Sequence, residues 1–337
     1  MRQLLKLLAL LLVPALFFPA CKDDPVEPSK SEFEILKTYL AANSLDLPAI
    51  TNGYTKAGSA INVNMTDFSV PDYYLIDLRS QADFDQGHIK DAHIATLATV
   101  LDEAAKAGGK KILVVCYTGQ TAARAVAALR LMKYEAYSLK WGMCGWHDDL
   151  AGKWKTNATD YASPNWVSSG TPKTLATFSE PTLSTNLTDG QAILEARVKT
   201  MLEKTWSVTK TDVLTTPTNY FIVNKWPLTS WDAYGHIDGA YRIDEDLTLD
   251  HLNYLDPAAT VVVYCYTGQT SAITGGWLDV LGYNTRSLSF GANGIVHTAL
   301  VNGTVDGGPG KSWHGVGSGS ELNFGYYDAT GTLHAPK

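Results

Sequence analysis

The segment Cys116-Tyr-Thr-Gly-Gln-Thr121 occurs again, residue for residue, as Cys265-Tyr-Thr-Gly-Gln-Thr270. The register holds around it. Ile112–Val115 and Val261–Tyr264 are short apolar runs leading into the two cysteines, and Ser138-Leu139, Gly142 and Gly145 recur as Ser287-Leu288, Gly291 and Gly294. Upstream, Gly87-His88-Ile89 returns as Gly235-His236-Ile237. A period this long is the length of a whole domain, not of a solenoid repeat, so the chain is built from two related domains.

Boundaries follow from that period. The first domain is expected over 32–166, a linker rich in Ser, Thr, Pro and Gly over 167–185, the second domain over 186–313, and a glycine-rich tail over 314–337. Trp166 and Trp313 are candidates for corresponding residues that close each unit. Within the first unit the sequence predicts strands at Tyr73–Leu78, Lys111–Val115 and Ala136–Leu139, and helices over Ala95–Ala107 and the Ala-rich Thr121–Met132. In the second unit, Gly275-Gly276 weakens the corresponding helix. Strands alternating with helices imply an α/β fold, each domain a parallel sheet flanked by helices.

A cysteine directly after a buried parallel strand lies at the strand's carboxyl end, where such sheets bind ligands. The turn after it carries backbone N–H groups and opens a helix, which together make an anion cradle. Such a cradle is expected to lower the thiol pKa from about 8.5 into a range of about 3.5–7.5. Cys116 and Cys265 are therefore the candidate nucleophiles. Tyr117, Thr118, Gly119, Gln120 and Thr121, with Tyr266, Thr267, Gly268, Gln269 and Thr270, are the candidate substrate-binding loops. The eight histidines show no metal-ligand spacing, and no metal is expected. His88 and His236 read as turn-stabilising residues.

In order along the chain, Leu75-Ile76-Asp77-Leu78-Arg79, Gly87-His88-Ile89, the Cys116 loop and Gly142-Met143-Cys144-Gly145-Trp146 resemble the rhodanese family of sulfurtransferases. The second unit matches less fully: Val223-Asn224-Lys225 stands for the Asp-Leu-Arg triplet and Ile295 for Trp146. The resemblance implies two rhodanese-like domains and a double-displacement reaction, in which a cysteine persulfide takes sulfur from a donor and passes it to cyanide or a thiol. It implies that no cofactor is needed, that the partner is a small sulfur-containing anion or thiol, and that Cys116 is more active than Cys265. The rivals are a non-catalytic binding module and a thiol redox protein in which Cys144 resolves Cys116. The phosphatase-type use of the fold needs Arg where Ala122 and Ser271 stand, so it is not expected. Asp77 and Arg79 read as a structural ion pair, Arg124 as a solvated arginine, and Trp141, Trp146 and Trp154 as core or pocket wall.

Residues 1–20 read as a signal peptide: Arg2 and Lys6, then the apolar run Leu7–Phe18, too short to span a bilayer. Ala20-Cys21 resembles the cleavage site of a bacterial lipoprotein signal, with Cys21 the lipidated residue and 21–31 a charged, Pro-containing tether. Export, a lipid link to the membrane and an outer-membrane location, facing either way, are expected. Four cysteines are too few for a disulfide scaffold, and none form a C-x-x-C pair. A net charge of −7 without a basic stripe argues against nucleic acid as a partner.

Overall fold

The computed structural model describes residues 30–243, 247–315 and 321–337. The signal segment, Cys21 and the tether up to residue 29 lie outside them. Among the described residues no helix is long and apolar enough to cross a membrane.

The first domain contains β1 (Thr55–Lys56), β2 (Tyr73–Asp77), β3 (His93–Ile94), β4 (Lys111–Val115) and β5 (Ala136–Leu139). They form one parallel sheet in the order β1-β5-β4-β2-β3. The chain continues with β6 (Trp166–Val167), β7 (Ser207–Val208), β8 (Phe221–Asn224), β9 (His236–Ile237), β10 (Tyr241–Arg242), β11 (Thr260–Tyr264) and β12 (Asn284–Leu288). Five of these make the second parallel sheet, in the order β10-β8-β11-β12-β7. The central strands β4 and β11 are buried from their second residue onward because helices cover both faces.

The helix after each cysteine loop, Gln120–Leu131 and Gln269–Val280, packs against its counterpart. The second runs unbroken through Gly275-Gly276, where the sequence suggests weakness. The crossing explains this: a Cβ on Gly276 would stand 2.9 Å from the Cβ of Ala127. The glycine permits the close approach, and burial of the helix offsets its poor propensity. At the same crossing Arg124 is fully buried. It donates to an Asp279 carboxylate oxygen at 2.7 Å and to the Met201 carbonyl at 2.8 Å, and Lys204 holds the other Asp279 oxygen at 2.6 Å. This corrects the solvated reading of Arg124: its helix face is an interdomain surface that one domain's sequence does not reveal.

Two further local readings change. Ala95–Ala107 is helical only over Val100–Ala104, with a 3₁₀ turn to Ala107. Thr96 and Thr99 cap each other's backbone N–H groups, at 3.0 and 3.2 Å, and so compete with the helix. Strand register also makes Asn224, rather than Val223, the equivalent of Asp77: Val115 pairs with Asp77 and Tyr264 with Asn224. The triplet equivalent to Asp-Leu-Arg is therefore Asn224-Lys225-Trp226. Asn224 Oδ1 accepts from the Trp226 N–H at 3.1 Å, as Asp77 Oδ1 does from that of Arg79 at 3.0 Å.

Each unit is closed by a segment from beyond the other. Strand β6, at the end of the expected first domain, pairs antiparallel with β9 of the second sheet, and Trp166 Nε1 donates to the Tyr234 carbonyl at 3.1 Å. The tail forms the hairpin β13 (Tyr326–Tyr327) and β14 (Leu333–His334), and Tyr327 bridges to His88. Trp146 Nε1 donates to Gly325 at 2.8 Å, while Trp313 packs on Trp141 and Trp154. Trp166 packs on the second unit and Trp313 on the first, so each seals the opposite unit.

Asp279→Ala leaves the buried Arg124 guanidinium without its carboxylate, and half-buried Lys204 without its own, and should destabilise the fold by about 3–5 kcal/mol, read by equilibrium denaturation. An apolar pair, Arg124→Met with Asp279→Leu, should restore most of that loss. Equal losses in both variants would show that the stranded charge of Arg124 is not the source of the loss.

Candidate active sites at the two cysteine loops

Both cysteines follow the last residue of a central strand, and both loops turn through a left-handed glycine, Gly119 (φ 82°) and Gly268 (φ 77°), into a helix. Any other residue would be strained there, and a Cβ on Gly119 would also strike Gln269 Oε1 at 2.6 Å. Cys116 Sγ accepts from the N–H groups of Gly119 (3.2 Å) and Ala122 (3.3 Å), and Cys265 Sγ accepts from Ser271 N–H at 3.4 Å. Backbone N–H groups at the start of the helix thus reach both sulfurs, two at Cys116 and one at Cys265.

At Cys116 these bonds do not have the expected effect. Burial pushes this thiol's pKa up, against the backbone bonds from Ala122, Thr118 and Gly119, and the Asp77 carboxylate adds to the rise. The expected lowering is not met, because desolvation outweighs a few N–H dipoles. Asp77 is itself paired with buried Arg79 at 2.6 Å, and Arg79 also donates to the Gly87 carbonyl at 2.6 Å. That pair is structural, as read. Tyr117 lies between Arg79 and Lys153, 5.5 and 5.3 Å from its ring centre, and its hydroxyl donates to Asp83. The cavity against Tyr117 is also lined by Asp149 and Lys153 but does not reach Cys116.

At Cys265 a cavity of about 360 Å³ opens directly onto the loop. Domain 2 contributes Cys265, Thr270, Lys225 and Lys311, and domain 1 contributes Tyr54 and Lys140. Tyr54 is hydrogen-bonded to Thr270 Oγ1 at 3.0 Å, and Lys311 stands 4.4 Å from the centre of the Tyr266 ring. The sequence reading assigns none of the three lysines, nor Tyr54, to the site. A positional signal was available for two of them, since Lys140 directly follows β5 and Lys225 directly follows β8, at the binding edge of parallel strands.

The loop residues divide in role. Gln120 crosses to the other domain, its Oε1 accepting from Phe290 N–H at 2.8 Å while its Nε2 donates to Thr118 at 3.0 Å. Gln269 lies against Gly119, at the rim of the Cys265 cavity. Thr267 Oγ1 accepts from Gln269 N–H at 3.3 Å, which shapes the turn. Thr121 makes no side-chain bond that bears on the site. His88 stacks on Phe84 at 3.9 Å and His236 on Trp231 at 3.6 Å, both turn-stabilising as read.

Cys144 is buried beside the Cys116 loop, its N–H donating to the Tyr117 carbonyl at 3.0 Å. Its sulfur, however, accepts from the N–H groups of Lys153 and Trp154, a cradle separate from that of Cys116. Burial pushes its pKa up to about 11.

Family comparison finds the rhodanese-like domain at residues 62–149 and again at 194–297, together more than half of the chain. The chain belongs to the rhodanese-like family and carries that domain twice. No curated protein sequence matches it significantly. Among solved structures, a thiosulfate sulfurtransferase from Pseudomonas aeruginosa is 12 % identical with a TM-score of 0.25. That match covers 75 % of this chain, which spans only 43 % of the Pseudomonas protein's length. A probable thiosulfate sulfurtransferase is 18 % identical over 67 % of this chain and 93 % of its own, with a TM-score of 0.25. A 3-mercaptopyruvate sulfurtransferase from Leishmania major is 14 % identical over 70 % and 74 %, again with a TM-score of 0.25. Membership in the family supports a sulfurtransferase-type activity.

With its pKa near 11, Cys144 is a thiol throughout the neutral range, and thiolate appears only as pH rises through that value. Peptide mapping after brief iodoacetamide treatment of the native protein should find Cys144 unlabelled at pH 7 to 9. Labelling at pH 7 would show an exposed or activated thiol.

Proposed function

We propose that the chain is a lipid-anchored, exported sulfurtransferase that works chiefly through Cys265. The observation that carries this reading is the cavity onto Cys265, ringed by Lys140, Lys225 and Lys311. Three cations around a nucleophile at the base of a cleft favour a small anionic sulfane donor such as thiosulfate. The Cys265 thiolate attacks the sulfane sulfur; a new S–S bond forms, the donor's S–S bond breaks, and sulfite leaves with the electron pair. Cyanide or a thiolate then attacks the outer sulfur of the persulfide. Thiocyanate or a new persulfide departs, and the Cys265 thiolate is regenerated. Neither step needs a metal or a redox cofactor.

This ordering reverses the ranking suggested by sequence. Cys116 keeps more of the family pattern, but burial raises its pKa and the neighbouring cavity stops at Tyr117. In this reading the first domain is chiefly a scaffold that lends Tyr54 and Lys140 to the second. Support for the anchor is the sequence around Cys21 alone.

Incubation with thiosulfate should add about 32 Da, one sulfur, to the Cys265 peptide, and cyanide should release it as thiocyanate. Cys265→Ser should lower thiocyanate formation by more than about 10³-fold, while Cys116→Ser should keep most of it. The opposite ranking would return the chemistry to Cys116. Lys311→Gln should raise the KM for thiosulfate about fivefold, as loss of one partly screened charge contact predicts. If thiosulfate, mercaptopyruvate and polysulfide all leave both cysteines unmodified, the binding-module reading replaces this one. Cys21→Ser should release the exported protein from membranes, and wild-type protein already free in the medium or periplasm would remove the anchor.

A further inference from the structure

We infer that Ser271, backed by Ser287, is a positioning residue that steadies the anionic sulfur of Cys265 by reversing a two-hydroxyl chain. The inference deepens the sulfurtransferase reading of this site and rests on it for its purpose. Ser271 Oγ stands 3.7 Å from Cys265 Sγ and 2.7 Å from Ser287 Oγ. Ser287 Oγ donates to the Gly268 carbonyl at 3.2 Å. All three side chains are buried, at 2 % exposure or less.

Proton counting fixes the resting pattern. Ser287 has one hydroxyl hydrogen, and it goes to Gly268. Ser271 therefore donates to Ser287 and accepts the thiol hydrogen of Cys265. When the thiol loses its proton to water at the mouth of the cavity, Ser271 can rotate and donate to the thiolate. Ser287 then rotates to donate to Ser271. The Gly268 carbonyl stays satisfied, because it also accepts from Ala272 N–H at 3.2 Å. No proton travels along the chain and no heavy atom needs to move. The same charge-assisted bond serves both half-reactions, since Sγ is the attacking atom in the first and the leaving atom in the second.

The first domain is an internal control. Ser138 occupies the place of Ser287 and donates to the Gly119 carbonyl at 3.1 Å, but Ala122 stands where Ser271 would be. Half of the chain is present there and the hydroxyl that would meet the sulfur is missing.

The test reads the pH at which Cys265 is half-alkylated, by mass mapping of the full chain. The other titratable groups facing this sulfur are Tyr54 and Lys140 of the first domain and Tyr266, Lys225 and Lys311 of the second, and all stay unchanged. Ser271→Ala should raise the midpoint by about one unit, the size expected for losing one hydrogen bond to a charged group. Ser271→Thr, which keeps a hydroxyl, should restore it. A folded Ser271→Ala variant with an unmoved midpoint overturns the inference, since a purely structural serine would alter stability alone. If Ser271→Ala does not fold, Ala122→Ser decides: the Cys116 midpoint should fall, and an unmoved one overturns the inference. Alkylation is read without turnover. Failure of wild-type protein to make thiocyanate therefore defeats the sulfurtransferase reading, whereas an unmoved midpoint defeats this one.

Discussion

The packing of the Gln120–Leu131 helix on the Gln269–Val280 helix is the contact on which the rest of the structure depends. Each helix begins at a cysteine loop, so the crossing sets both loops side by side. It holds because one surface is nearly all small residues, with Gly276 against Ala127, and because the buried Arg124–Asp279 pair, with half-buried Lys204 on the same carboxylate, fixes the register. Such a cluster is a poor source of net stability, since desolvation consumes most of the attraction. Its effect is specificity: any other register would strand a charge in the interface. The glutamines that open the helices show what this register achieves. Gln120 reaches Phe290 of the second domain, and Gln269 fills the space beside Gly119 of the first.

Two identical loops then acquire different chemistry from their surroundings. The cradle is supplied by backbone and is therefore common to both. What differs is whatever approaches the sulfur from outside the hexapeptide: Asp77 and a closed environment at Cys116, and a cation-ringed cavity with a buried hydroxyl pair at Cys265. A local motif states that a nucleophile is possible. Desolvation and neighbouring charge decide where it is used.

This also marks what could be read in the chain. The domain repeat, the parallel strands at Lys111–Val115 and Ala136–Leu139, the cysteine at a strand end and the Asp77–Arg79 pair are encoded locally, by apolar runs and turn residues. Arg124 was illegible because its partner lies far along the chain. So was Tyr54, which meets Thr270 only across the interface. Gly275-Gly276 read as weak helix because propensity is local, whereas the demand for a small residue comes from Ala127. The closing roles of Trp166 and Trp313 were half visible. The sequence offers them as closing residues, but their exchange between units is a property of the assembled fold.

One substitution between the repeats accounts for much of the asymmetry. Cys144 and Asn293 occupy equivalent positions, and each backbone N–H bonds to the loop tyrosine's carbonyl, at 3.0 and 2.9 Å. Cysteine adds little polar capacity there, and its sulfur turns toward Lys153 and Trp154. Asparagine has a donor and an acceptor to spare. Its Nδ2 donates to the Lys311 carbonyl at 2.9 Å, and its Oδ1 accepts from Trp313 N–H at 2.8 Å. Those two bonds pin the segment that crosses from the second domain to the first, and Lys140 secures it again through the Gly310 carbonyl at 3.1 Å. The pinned segment carries Lys311 over Tyr266, at the mouth of the Cys265 cavity. A side-chain amide in place of a thiol thus holds Lys311 at the cavity that opens onto Cys265, whereas in the other repeat the Cys144 sulfur holds the Lys153 segment, whose lysine lies over Tyr117 in a cavity that does not reach Cys116.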